Sequence, residues 1–112
     1  MKRSALTTHI LDTAAGAPVA GVRVELYRHD ADGPVKVAEA LTNADGRTDA
    51  PLLNAQDFVA GTYELRFHIG AHFGGAGFLD MVPIMVRLAA GQGHYHVPLL
   101  CSPWSYATYR GS

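Results

Sequence analysis

The chain has 112 residues, a formal net charge of −1 and a single cysteine. That length predicts one domain over residues 1–112, with one core that is small enough to gain from association with further copies. The even balance of charge argues against nucleic acid or an anionic membrane as a partner, and no run approaches the ~18 apolar residues of a spanning helix.

At the start, Met1-Lys2-Arg3-Ser4 leads into Ala5-Leu6-Thr7-Thr8-His9 instead of an apolar stretch, so no signal peptide is expected. The lone Cys101 permits no internal disulfide, which fits a reducing compartment and a cytoplasmic location. Its setting, Pro98-Leu99-Leu100-Cys101-Ser102-Pro103, reads as that of a buried small hydrophobe and not of a nucleophile.

Short β-prone runs are punctuated by Gly, Pro, Asp and Asn. Residues 6–13 read as a first strand, closed by Ala14-Ala15-Gly16-Ala17-Pro18. The segment 21–28 alternates, with Val22, Val24 and Leu26 on one face and Arg23, Glu25 and Tyr27 on the other. His29-Asp30-Ala31-Asp32-Gly33-Pro34 is a turn by composition, and 35–42 is a third strand. Asn43-Ala44-Asp45-Gly46 marks another turn, and 54–58 reads as a loop or a single helical turn. Alternation returns at 62–69, where Tyr63, Leu65, Phe67 and Ile69 face one way. Residues 70–77 leave a short helix open, because Gly74, Gly75 and Gly77 each weaken one by ~1 kcal/mol. Strands over 82–89, 93–101 and 105–110 complete the series. Seven to eight strands with turn signals between them predict an all-β, antiparallel sandwich with at most one short helix.

His9 lies mid-strand with Thr7 and Leu11 on its own face, where a histidine is ordinarily a hydrogen-bonded structural residue. His94 and His96 share a strand face. Such a pair suits zinc or copper, but a catalytic zinc takes a third protein ligand, and spacing does not choose among His9, His68 and His72. Arg47 sits at the exit of a turn, where a solvated side chain is the default. Its planar, permanently charged guanidinium also suits an anionic or multi-carbonyl heterocycle. Arg110 has the same chemistry, with a surface ion pair as its default. Phosphate-binding glycine patterns and a nucleophile elbow are absent from the sequence.

Chain ends usually fray. Here Tyr109-Arg110-Gly111-Ser112 follows the β-prone Trp104-Ser105-Tyr106-Ala107-Thr108 with no polar tail. A phenol, a guanidinium, a glycine and a hydroxyl together make a suitable set of ligands for a small planar polar molecule.

Four segments give the chain a resemblance to the 5-hydroxyisourate hydrolases, the enzymatic branch of the transthyretin family. They are His9-Ile10-Leu11-Asp12 with Gly16-Ala17-Pro18 and Gly21-Val22-Arg23-Val24; Thr42-Asn43-Ala44-Asp45-Gly46-Arg47; His94-Tyr95-His96-Val97-Pro98-Leu99-Leu100; and Ser105-Tyr106-Ala107-Thr108-Tyr109-Arg110-Gly111-Ser112. The final tetrapeptide is the specific element, since the hormone-carrying transthyretins differ there and lack His9 and His96 as histidines. The resemblance implies a transthyretin-like fold and hydrolysis of the cyclic amide of 5-hydroxyisourate, in urate degradation, to 2-oxo-4-hydroxy-4-carboxy-5-ureidoimidazoline. It also implies catalytic His9, Arg47 and His96, with His9, Arg47, Tyr109, Arg110 and Ser112 binding substrate. A homotetramer, built as a dimer of dimers with sites between the dimers, is implied too, with no metal or organic cofactor. Leu79-Asp80 and the glycines at 74–77 depart from the family pattern, as do Cys101 and Trp104, and none of these is a carried-over catalytic position.

Opening a lactam requires an activated water, a polarised carbonyl and a proton for the departing nitrogen. Two histidines with ordinary pKa near 6.5 can divide the acid and base roles, and His9 is the favoured base. Arg47 would stabilise charge on the attacked carbonyl. A non-enzymatic carrier of a small ligand, or a structural sandwich module with incidental metal binding, are the competing readings. The carrier would want an apolar channel where these polar groups line up, and the module leaves the arranged C-terminus unexplained.

Overall fold

The computed structural model describes residues 4–111. Eight strands occur in the order β1 (Leu6–Asp12), β2 (Ala17–Pro18), β3 (Arg23–Asp30), β4 (Gly33–Leu41), β5 (Gly61–His68), β6 (Met81–Leu88), β7 (Tyr95–Cys101) and β8 (Tyr106–Thr108). They form two four-stranded sheets, ordered β2-β1-β7-β8 and β4-β3-β5-β6, packed as an all-β sandwich.

Alternation decides what each strand buries. On β3 and β5, Val24, Leu26, Tyr63, Leu65 and Phe67 are fully buried; β1 supplies Leu6 and Ile10 and β7 supplies Val97 and Leu99 from the facing sheet. Removing such a side chain leaves a cavity that close-packed neighbours only partly fill, which is why the two faces stay in register with each other. The opposite face of β1 and β7 is left to Thr7, His9 and His96, with His94 as the residue just before β7, and none of the four is buried.

Three features differ from the sequence expectation. The pairing of β1 with β7 is parallel. Between those strands the chain crosses to the second sheet and returns, so no hairpin forces an antiparallel direction. The turn expected over 29–34 shrinks to Ala31-Asp32, because β3 continues to Asp30 and β4 already starts at Gly33. Residues 70–75 are turns and not helix. Gly74 and Gly75 both adopt φ of 72°, a left-handed backbone that ends any right-handed turn.

Candidate active site

Two edges of β1 build the site. On one edge, parallel register sets Thr7 beside His96 and His9 beside Pro98. On the other edge, the turn after β4 folds back onto the strand. There Ile10 N–H donates to Gly46 O at 2.8 Å, and Arg47 forms an isolated antiparallel bridge with His9.

Asn43 shapes that turn. Its side-chain oxygen accepts from the backbone N–H groups of Asp45 (2.9 Å) and Arg47 (3.2 Å), and its amide nitrogen donates to Asp49 (2.9 Å). Buried Thr42 anchors the turn from behind, donating to Val19 O at 2.6 Å and accepting from Val22 N–H at 3.0 Å. Gly46 has φ of 74°, and an added Cβ there would stand 2.5 Å from Ile10 O and 3.2 Å from the His9 ring. The close approach that delivers Arg47 to His9 therefore needs glycine. No carboxylate among the described residues lies within ion-pair distance of Arg47, so its charge is available to a ligand.

His96 is the best-defined member. Burial first, and then the Arg47 guanidinium and the neighbouring imidazoles of His9 and His94, lower its pKa below the ordinary histidine value. Its imidazole is therefore held neutral near pH 7. Gly111 packs against this ring, donating its N–H to His96 O at 2.7 Å, and a Cβ on Gly111 would come within 2.8 Å of His96 Cδ2. Thr7 Oγ1 sits 2.8 Å from His96 Nδ1 and 2.7 Å from His94 Nε2.

His9, Arg47 and His96, drawn from three separate segments, thus share one face. The last residues do not all join them. Arg110 places its guanidinium 4.4 Å from the centroid of the Tyr95 ring and donates to Gln92 O at 3.3 Å. Tyr95 lies on the opposite face of β7 from His96, because adjacent strand residues alternate. Tyr109 and Arg110 instead line a cavity of about 310 Å³ between β6 and the Tyr95–Val97 end of β7. Ser112 lies outside the described residues. The other two candidate metal ligands are engaged elsewhere: His68 pairs with Glu25, and His72 with Asp12 at 2.8 Å. Cys101 is buried and its thiol pKa is pushed up to about 11, which makes it an inert packing group.

Thr7, Asn43 and Gly46 were not singled out by sequence reasoning as parts of a site. Asn43 and Gly46 carried a turn signal, but which strand the turn would dock on is a long-range contact. Thr7 was visible only as a neighbour on the His9 face.

Residues 6–111 match the HIUase/Transthyretin family. A 5-hydroxyisourate hydrolase of Deinococcus radiodurans is 53% identical, the match covering 96% of this chain and 95% of the relative. Among solved structures, the 5-hydroxyisourate hydrolase of Klebsiella pneumoniae is 38% identical with a TM-score of 0.83, covering 97% of this chain and 99% of that one. The transthyretin of Sparus aurata is 31% identical with a TM-score of 0.87, covering 95% of each chain. An (S)-allantoin synthase superposes with a TM-score of 0.90 at 40% identity over 99% of this chain, which spans only 44% of that longer one.

Proposed function

The chain belongs to the HIUase/Transthyretin family, and we infer that it hydrolyses 5-hydroxyisourate, the reaction for which its relatives are named. The observation that carries this reading to particular residues is the convergence of His9, Arg47 and His96 on one exposed sheet face. A carrier of apolar ligands has no use for two imidazoles and a guanidinium there.

His96, held neutral by burial and neighbouring charge, is suited to take the proton from an attacking water. That reverses the sequence preference for His9 as base and leaves His9 to deliver a proton to the departing nitrogen. Arg47 polarises the attacked carbonyl and holds the oxyanion as it forms. A preorganised donor of this kind is often worth ~3 to 4 kcal/mol. Gly111 packs against His96, and Ser112 is proposed as a substrate contact on the family resemblance. Tyr109 remains a candidate substrate contact. Arg110 is better assigned to anchoring the tail on Tyr95, since its guanidinium stacks there. The route uses no metal or organic cofactor, so a chelator should leave turnover unchanged; loss on chelation and recovery with zinc would count against the acid–base assignment.

The catalytic face is open in the single chain, which supports a homotetramer, a dimer of dimers in which further copies cover it. A cytoplasmic location is proposed on the lone cysteine, which offers nothing to an oxidising compartment. The functional reading is tested by adding the purified protein to freshly generated 5-hydroxyisourate and following its ultraviolet decay. Accelerated decay is expected. Decay at the spontaneous rate would remove the reading.

A further inference from the structure

We propose that the Thr7 hydroxyl is a proton relay between His96 and His94, switching His96 between a base and a proton donor. The proposal rests on the reading of His96 as a group that exchanges a proton during hydrolysis. Both links are short, 2.8 Å to His96 Nδ1 and 2.7 Å to His94 Nε2, within the range of good hydrogen bonds. The arrangement is built into the sheet. Parallel register sets Thr7 directly beside His96, and His94, two residues earlier, shares its side. The two rings lie 6.5 Å apart, with 26° between their planes. His94 is exposed, whereas His96 is half-buried. Within one chain the pair therefore runs outward from the more enclosed ring to the more open one.

A hydroxyl carries one proton and a neutral imidazole one N–H, so the hydrogen bonds constrain one another. If Thr7 donates to His94 Nε2, then His96 must donate from Nδ1. Both rings are then protonated on Nδ1, and His96 Nε2 is a free base. If Thr7 donates to His96 Nδ1, then His94 must donate from Nε2. Both rings are then protonated on Nε2, and His96 presents a donor. A third arrangement, with both rings donating, leaves the hydroxyl proton without an acceptor among the described residues.

One proton crossing converts the first state into the second. His96 Nε2 accepts a proton from the attacking water and becomes an imidazolium. Its Nδ1 proton passes to Thr7 Oγ1 as the hydroxyl proton passes to His94 Nε2. His94 then releases its Nδ1 proton to a water molecule in the space that its ring faces. Charge and protons balance, and His96 is left neutral with a proton on Nε2. The reverse passage, with a proton entering through His94, restores the base. Thr7 and His94 are thus positioning residues acting through His96, and neither needs to touch the substrate.

The test uses the full chain and the variants Thr7→Val, Thr7→Ser and His94→Gln. Valine matches threonine in shape, favours a strand and removes only the hydroxyl. Long-range proton–nitrogen NMR of the imidazoles, at a pH where both rings are neutral, reads the tautomers directly. In the wild type, His94 and His96 should carry their protons on the same type of nitrogen. In Thr7→Ser the coupling should persist, so that His94→Gln shifts the His96 tautomer ratio there as it does in the wild type, whereas in Thr7→Val the His94→Gln change should leave the His96 ratio unmoved. In steady-state assays, Thr7→Val and His94→Gln should each lower kcat by ~10- to 10²-fold with KM within ~2-fold, a share of what positioned acid–base catalysis supplies. The double variant should be little worse than either single one, because residues acting as one unit are not additive. Serine should recover most of the kcat lost with valine. Opposite tautomers in the wild type, or an unchanged kcat in a folded Thr7→Val, would overturn the relay. Failure of the wild type to accelerate decay of 5-hydroxyisourate would instead remove the functional reading, and the NMR arm separates the two.

Discussion

Arg47 has no structural partner for its guanidinium among the described carboxylates, and its backbone is held by Asn43 and by the bridge to His9. Arg47→Ala should therefore fold normally and lose at least ~10²-fold in kcat/KM, the effect of deleting one transition-state donor. Circular dichroism with the decay assay checks both halves, and retained activity would make Arg47 a surface residue. His9→Asn and His96→Asn should each remove most activity, with the double variant little worse than either. Gly111 gives a finer probe of the same ring. Alanine there would press within 2.8 Å of His96 Cδ2, against a ring already tethered through Nδ1 to Thr7. Since a misplacement of 1 Å can cost ~10²-fold, Gly111→Ala should lower kcat by ~10-fold or more while the thermal midpoint moves little. An unaltered kcat would show that the chain end does not set the position of His96.

The strands also carry a network that the proposed chemistry does not use. Glu25 of β3 is only 6% exposed, yet it stays ionised because it accepts hydrogen bonds from His68 of β5, then from Lys36 of β4 and Tyr27, against the cost of burial. Its pKa falls from 4.5 to about 2. The folded pKa lies below the unfolded one, so between them the unfolded chain binds more protons. The stabilisation is complete above pH 4.5 and is lost as the pH falls toward 2. Glu25→Gln should flatten that acid limb when Tm is followed against pH, and a limb parallel to the wild type would deny Glu25 a part in it. Strand β8 leads into the other extended element of interest, the chain end. Tyr109 to Gly111 are held by the Tyr95 stack and by the bond to His96 O, outside the core. Deleting residues 109–112 should keep the β-sheet spectrum and abolish turnover. Comparable activity in the truncated chain would make the segment a dispensable tail.

Assembly is where a small sandwich gains most. The face bearing His9, Arg47 and His96 lies at the surface of one chain, with no second layer over it to exclude water. A tetramer is expected by sedimentation, and dilution below the association range should lower specific activity as the covered face reopens. A fully active monomer at assay concentration would rule out a site completed between subunits.

Much of this architecture was legible because alternation is a local property. Val22, Val24 and Leu26, and likewise Tyr63, Leu65, Phe67 and Ile69, share one face of their strand by spacing alone, and each is buried. The turn at Asn43 and the strands bearing His9 and His96 were read in the same way, and the resemblance singled out those two histidines with Arg47. Pairing between distant strands is not local. The parallel register that seats Thr7 against His96, the docking of Gly46 on β1 and the turning of Arg110 onto Tyr95 are contacts between residues far apart in the chain, and no periodicity encodes them. Helix in 70–77 was undecided for a related reason: glycine weakens a helix without dictating which turn replaces it, and the choice fell to the packing of that loop against the sandwich. Residue types and strand faces thus follow from the chain's own pattern, whereas the hydrogen-bond partner of each imidazole, and hence its protonation and its role, follows from which strand lies beside it.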